Sequence, residues 1–134
     1  MNKVKRLLKD KGNVVWSVPV TATALDAVLL MADKNIGAVM VLDGDKLAGI
    51  FTERDFAYKI GCFEKAAHEI LITEVMTPDP LTITPAHSVN DCMALMTDNH
   101  FRHLPVIEHG KLVGVISIGD VVKDLIEELQ FMVE

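Results

Sequence analysis

The second half of this chain repeats the first. Displaced by 65 residues, positions 15–60 align with 80–125 without a gap. Nine of the 46 aligned positions are identical: Asp26/Asp91, Leu30/Leu95, Met31/Met96, Asp33/Asp98, Val41/Val106, Lys46/Lys111, Leu47/Leu112, Gly49/Gly114 and Asp55/Asp120. Chance gives roughly three at ordinary residue frequencies. Other pairs keep their chemistry, among them Val18/Ile83, Thr23/Ser88, Leu42/Ile107, Ile50/Val115 and Thr52/Ser117. One structural unit must therefore be found and used twice.

Each unit reads as β-α-β-β-α. Short extended stretches at 15–18 and 81–83 end near Pro19 and Pro85. Thr23-x-x-Asp26 and Ser88-x-x-Asp91 then supply a hydroxyl cap with an acid three residues later, the signature of a helix start. Leu25, Val28, Leu29 and Ala32 recur at helical spacing, as do Val89, Cys92, Met93 and Met96, and are predicted to face the core. Apolar runs at 38–42 and 47–51 flank Asp43-Gly44-Asp45, and runs at 104–107 and 112–116 flank Glu108-His109-Gly110, which predicts two hairpins. Closing helices are expected over 53–60 and 118–132, an additional helix over 3–9, and a linker over 61–80.

The predicted fold is α+β: two β-α-β-β-α repeats packed about a pseudo-two-fold axis, with an extra N-terminal helix. Residues 1–65, including that helix, form the first unit, and 66–134 the second. A unit near 60 residues buries only ~60% of its unfolded surface, so each needs its neighbour, and a cleft between them is the expected ligand position. Val121, Val122, Leu125, Ile126, Leu129 and Val133 make an apolar stripe on the last helix, wide enough for both a core and a second copy, so a homodimer is expected.

Composition narrows the function. Half of the residues are apolar, and the net charge of −6 argues against nucleic-acid binding. No apolar run approaches a membrane span, and the charged start MNKVKRLLKDKG lacks the apolar stretch of a signal peptide. Cys62 and Cys92 are too few for a disulfide scaffold, and a cytoplasmic location is expected. The five histidines, His68, His87, His100, His103 and His109, show no metal-ligand spacing. No nucleophile pairs with a base, so the chain is not expected to be an enzyme. Met31, Met76, Met93 and Met96 read as core filling.

One spacing recurs where the hairpin ends and the last helix begins. It is Gly49-x-x-Thr52-x-x-Asp55 in the first unit and Gly114-x-x-Ser117-x-x-Asp120 in the second. A helix N-terminus receives phosphate, the hydroxyl can add a donor, and a carboxylate one turn later can accept from the hydroxyls of a ribose. The same Thr/Ser-x-x-Asp spacing is also an ordinary capping box, as it is at Thr23 and Ser88. The residues leave both readings open.

Glu74-Val75-Met76-Thr77-Pro78, Phe101-Arg102-His103-Leu104-Pro105-Val106 and the run Gly110–Asp120, together with the repeat, resemble a tandem pair of CBS domains, the family named for cystathionine β-synthase. The resemblance covers about residues 15–126. It implies a stand-alone regulatory module that dimerises and binds an adenosine-containing ligand: AMP, ADP, ATP, S-adenosylmethionine or NADH. It also implies that Thr52 and Asp55 serve one site and Ser117 and Asp120 the other. Val18, Thr82 and Ile83, with Ser17, would lie near the adenine, and Met40 and Pro105 would pack on a base face. Arg54 aligns with Gly119, and Arg102-His103 with Gly37-Ala38, so the two sites should differ in affinity. Arg54, Arg102 and His103 are expected to converge on phosphates. An unidentified protein would receive the signal. The other reading is a ligand-free dimerisation scaffold in which Asp55 and Asp120 only cap helices.

Overall fold

The computed structural model describes residues 2–12 and 14–133. In chain order the elements are α1 (Val4–Lys11), β1 (Ser17–Pro19), α2 (Ala24–Lys34), β2 (Ala38–Asp43), β3 (Lys46–Thr52), α3 (Glu53–Lys59), α4 (Ile72–Val75), β4 (Thr77–Pro78), α5 (Val89–Asn99), β5 (His103–Glu108), β6 (Lys111–Ser117) and α6 (Ile118–Val133). Short 3₁₀ turns at Ile60–Cys62 and Ala67–Glu69 lie between α3 and α4.

The chain divides into two compact units. One is Val15–Pro80; the other joins residues up to Val14 with those from Leu81 onward. This corrects the expected division at 65/66 with the leading helix in the first unit. The reason is where the apolar faces go. Val4, Leu7 and Leu8 of α1 pack with Ile83, Val89, Cys92, Met96, Leu104, Val106, Ile116 and Val121, all from the second repeat. Ile70, Ile72 and Val75, which precede the second repeat, pack with Val18, Ala27, Met31, Val39, Val41 and Phe51 of the first. The backbone repeats the arrangement. Val4 N donates to His87 O at 2.9 Å and Val89 N to Asn2 O at 2.9 Å; equivalently, Ile72 N donates to Ala22 O at 2.8 Å and Ala24 N to Ile70 O at 2.8 Å. The segment before each repeat thus completes the other repeat, and residues 61–80 are more than a linker.

In Val15–Pro80 the sheet order is β1-β2-β3-β4, with β1 parallel to β2 and the other neighbours antiparallel. The second unit has the β5–β6 hairpin, and the expected strand at 81–83 shrinks to a single parallel bridge between Ile83 and Val106. Proline explains the difference. In the first unit Met40 N donates to Trp16 O at 3.1 Å. Pro105 holds the Met40 position and has no N–H, so the equivalent bond cannot form. Both hairpins turn through two residues and carry a register shift at the same place, Val41/Leu42 and Val106/Ile107. His109 and Gly110 both have positive φ (53° and 77°), the backbone that a tight hairpin of this twist requires.

On α5 the buried residues are Val89, Cys92 and Met96, as expected. On α2 the core face is Ala24, Ala27 and Met31, with Val28 packed against it as expected, whereas Leu29 is 58% exposed and Ala32 exposed. Met31 and Met96 are buried, and Met76 and Met93 pack against the same cores.

Candidate functional site

Strand alternation decides which predicted site residues share a surface. Ser17 pairs with Met40, Met40 with Ile50, and Ala38 with Thr52, so Ser17, Met40 and Thr52 lie on one face of their sheet. Val18 pairs with Val41 on the other face and belongs to the core. In the second unit His103 pairs with Ser117 and Pro105 with Val115, which puts His103, Pro105 and Ser117 on one face. Ile83 is core there, 1% exposed, while Thr82 is exposed. The side chains of Val18 and Ile83 therefore do not line a surface; only their backbones are left to a ligand. Met40 and Pro105 are both buried.

The two recurring motifs both form complete capping boxes. Thr52 Oγ1 accepts from Asp55 N at 3.2 Å, and Asp55 Oδ2 accepts from Thr52 N at 3.0 Å. Ser117 Oγ accepts from Asp120 N at 3.2 Å, and Asp120 Oδ2 from Ser117 N at 2.8 Å. The boxes at Thr23/Asp26 and Ser88/Asp91 have the same geometry, with both bonds between 2.9 and 3.1 Å. Capping is thus realised at all four helix starts.

What distinguishes the two glycine-containing motifs is their surroundings. Asp55 is buried, with its residue 6% exposed. Beyond its cap it accepts from Thr52 Oγ1 at 3.2 Å and from Thr77 Oγ1 at 3.0 Å, and it pairs with Lys59 Nζ at 3.0 Å. Lys59 also donates to Met76 O at 3.3 Å. The Asp120 side chain is 25% exposed and faces a lysine from outside the repeat: Lys11 Nζ lies 2.6 Å from Oδ2 and donates to Val115 O at 2.8 Å. Burial pushes the Asp120 carboxyl up, but the Lys11 ammonium and the Ser117 backbone amide outweigh it and hold the group below its ordinary value.

The glycines have a packing reason. A Cβ at Gly49 would lie 2.5 Å from Met76 Sδ and 2.8 Å from Thr77 O, and one at Gly114 would collide with the Leu8 side chain. Each glycine admits the segment contributed from before the other repeat.

Arg54 belongs to the Val15–Pro80 unit, where its guanidinium sits 5.6 Å from the Tyr58 ring centroid. Arg102 and His103 belong to the other unit, and Arg102 O accepts from Ile118 N at 2.8 Å, at the start of α6. Sequence reasoning singled out neither Lys11, Lys59 nor Thr77 as a partner of these carboxylates. Lys59 stands four residues after Asp55, the spacing of a helical ion pair, and so left a signal. Lys11 left none, because it lies outside the repeat.

Among the described residues no three His, Cys, Asp or Glu side chains gather as a metal ion would require. No helix among them is long and apolar enough to cross a membrane. Burial, with Asp91 adding to it, pushes the Cys92 thiol up to about 11, which keeps it protonated and unreactive at neutral pH.

The comparisons agree with this architecture. The CBS-domain family profile matches twice, at residues 6–61 and 72–127. The chain is 40% identical over 122 residues to the CBS domain-containing protein CBSX3, mitochondrial, of Arabidopsis thaliana, covering 87% of this chain and 59% of that protein. It therefore spans about three fifths of this relative's length. The crystal structure of the CBS domain NE2398 superposes with a TM-score of 0.91 at 41% identity, covering 94% of this chain and 99% of that one. The crystal structure of CBSX2 in complex with AMP shares the fold, with a TM-score of 0.79 at 21% identity, covering 95% of this chain and 98% of that one. With two matched repeats, each completed by the segment that precedes the other, the chain belongs to the CBS-domain family.

Proposed function

We propose that this CBS pair is a regulatory module that binds an adenine nucleotide, with the Asp120 motif as the stronger site, and performs no catalysis itself. The observation that carries the reading is the contrast between the two motifs. Asp55 is buried and taken up by Thr52, Thr77 and Lys59, whereas Asp120 is part exposed at the start of the 16-residue helix α6. There Ser117 offers a hydroxyl and the helix start offers partial positive charge. Arg102 and His103 lie at the adjoining strand entry, where the first unit has Gly37 and Ala38. That CBSX2 has been crystallised with AMP supports the ligand class through the shared fold. AMP, ADP, ATP, S-adenosylmethionine and NADH all carry the adenosine that the motif would read.

The test is thermal unfolding alone and with each of these five compounds. A bound nucleotide at 100 times its dissociation constant adds ~2.7 kcal/mol, a midpoint shift of several degrees at this size. The shift is expected to vanish in Asp120→Ala. A shift unchanged in that variant would sink the assignment of the site.

The scaffold reading has its own support, since all four boxes cap helices with the same geometry. On that reading no adenosine compound shifts the melt, and Asp120→Ala costs only the cap, ~1 kcal/mol.

Dimerisation through α6 is part of the proposal. Val122, Ile126 and Leu129 lie 41%, 50% and 62% exposed along one stripe of that helix. Ile126→Glu is expected to halve the sedimenting mass of a dimeric wild type; an unchanged mass would place the interface elsewhere. A change in how the two copies or the two units are held, biased by the nucleotide, would be the signal that a partner protein reads. A cytoplasmic location fits the two free thiols, although the name of the relative CBSX3 places that protein in mitochondria.

A further inference from the structure

The Lys11–Asp120 pair has a consequence for ligand choice, which rests on the nucleotide reading of the Asp120 motif. We propose that Lys11 selects for phosphate: it neutralises Asp120 while the site is empty and transfers its ammonium to a phosphate once a ribose takes the carboxylate.

The geometry carries this in three steps. First, Lys11 Nζ is 2.6 Å from Asp120 Oδ2, the same oxygen that accepts from Ser117 N. A ribose whose hydroxyls donate to that oxygen competes there with the lysine. Second, Lys11 has another anchor, Val115 O at 2.8 Å, on the strand that leads into Ser117. An ammonium has three donors, so on leaving Asp120 it keeps that anchor and stays beside the helix start. Third, the position before Asp120 is Gly119, exposed and with Ser117 Oγ 3.6 Å from where a Cβ would lie. No side chain there stands between the displaced ammonium and the start of α6, where an anion is stabilised by the helix. The first unit differs at each step. Its lysine, Lys59, comes from α3 itself, its second anchor is Met76 O, and Arg54 stands at the Gly119 position.

A ligand with ribose but no phosphate breaks the ion pair and gives the lysine nothing in return. AMP breaks it and supplies a new anion. Selectivity thus arises from a contact that must be lost as well as from one that is gained. The carboxylate involved is ionised well below neutral pH, which keeps the competition in force under ordinary conditions.

The experiment is calorimetric titration of AMP and of adenosine into the full chain, for the wild type, Lys11→Met, Lys11→Arg and Asp120→Asn. Lys11→Met keeps the aliphatic stem, and its ligand-free melting curve checks that the fold is intact. The preference for AMP over adenosine is expected to fall roughly tenfold in Lys11→Met, through weaker AMP and equal or tighter adenosine, because a charge-assisted bond to phosphate is lost. Lys11→Arg should retain most of the preference, and Asp120→Asn should weaken both ligands. An unchanged preference in Lys11→Met, with both ligands bound, overturns the role of Lys11 and leaves the site standing. Binding that Asp120→Asn does not alter, or no binding to the wild type, overturns the site and this inference with it.

Discussion

Asp55→Ala is expected to destabilise the protein by about 2–3 kcal/mol, more than twice the effect of Asp120→Ala, although the two residues occupy equivalent places in the repeat. Both substitutions remove a cap, worth ~1 kcal/mol. At Asp55 the damage goes further. Lys59 loses the carboxylate 3.0 Å from its ammonium, and Thr77 loses the acceptor that ties β4 to the start of α3. The Lys59 side chain is 41% exposed and returns to water, but Thr77 is half-buried and its hydroxyl is left without the acceptor, which adds the cost of an unsatisfied polar group. At Asp120 the one released partner beyond the cap is Lys11, which like Lys59 is part exposed and returns to water, and no second hydroxyl is stranded. Urea unfolding of the two variants, compared at equal slope, measures the difference. Equal midpoints would mean that the contacts of Asp55 beyond its cap contribute nothing.

Gly49→Ala is the second substitution with a large expected effect, about 1–3 kcal/mol or more. The new methyl would fall 2.5 Å from Met76 Sδ and 2.8 Å from Thr77 O. Met76 can turn its flexible chain aside, but the carbonyl belongs to β4 and moves only with the backbone. Gly49 pairs with Pro78 and Ile50 with Thr77, so β4 must lift from the sheet edge. The Thr77 hydroxyl then leaves Asp55. Amide hydrogen exchange should report this as faster exchange at the β3–β4 edge, with the β2–β3 ladder preserved. At Gly114 the three atoms nearest the methyl all belong to the flexible Leu8 side chain. Gly114→Ala should therefore cost less than Gly49→Ala, and a reversal of that order would show that side-chain crowding, not backbone displacement, sets the penalty.

The repeat and its hairpins were legible because they rest on local chemistry. Asp-Gly and His-Gly turns, hydroxyl-x-x-Asp caps and strand runs each declare themselves within a few residues, and all four caps form as read. Allegiance over distance was not legible in the same way. Val4-x-x-Leu7-Leu8 and Ile72-x-x-Val75-Met76 share one apolar spacing, but they are 68 residues apart, not 65, and a gap-free alignment passes over them. Helix α1 was therefore foreseen as a helix and assigned to the wrong unit. The face of α2 was misread for another reason. Ala24 through Ala32 is apolar almost all round, so periodicity could not choose between Leu29 and the smaller Ala27 that packs inward. In the candidate site the carboxylates and hydroxyls were visible, but not their cations. Lys11 comes from outside the repeat, and only the folded chain brings it to Asp120.

The exchange of leading segments also sets an order of assembly. Val15–Pro80 is continuous in sequence and carries its own closing helix α4, so it can finish folding as it leaves the ribosome. It is, in topology, a guest domain inserted into its sibling. The sibling begins with α1 but cannot be completed until β6 and α6 have been made, and α1 must wait with Val4, Leu7 and Leu8 uncovered while the guest is synthesised. Closing so long a loop costs only a slowly growing entropy, so the burden falls on folding speed more than on stability. Helix α1 is made before the guest but finds its place only after it, and it brings Lys11 to Asp120 when it does.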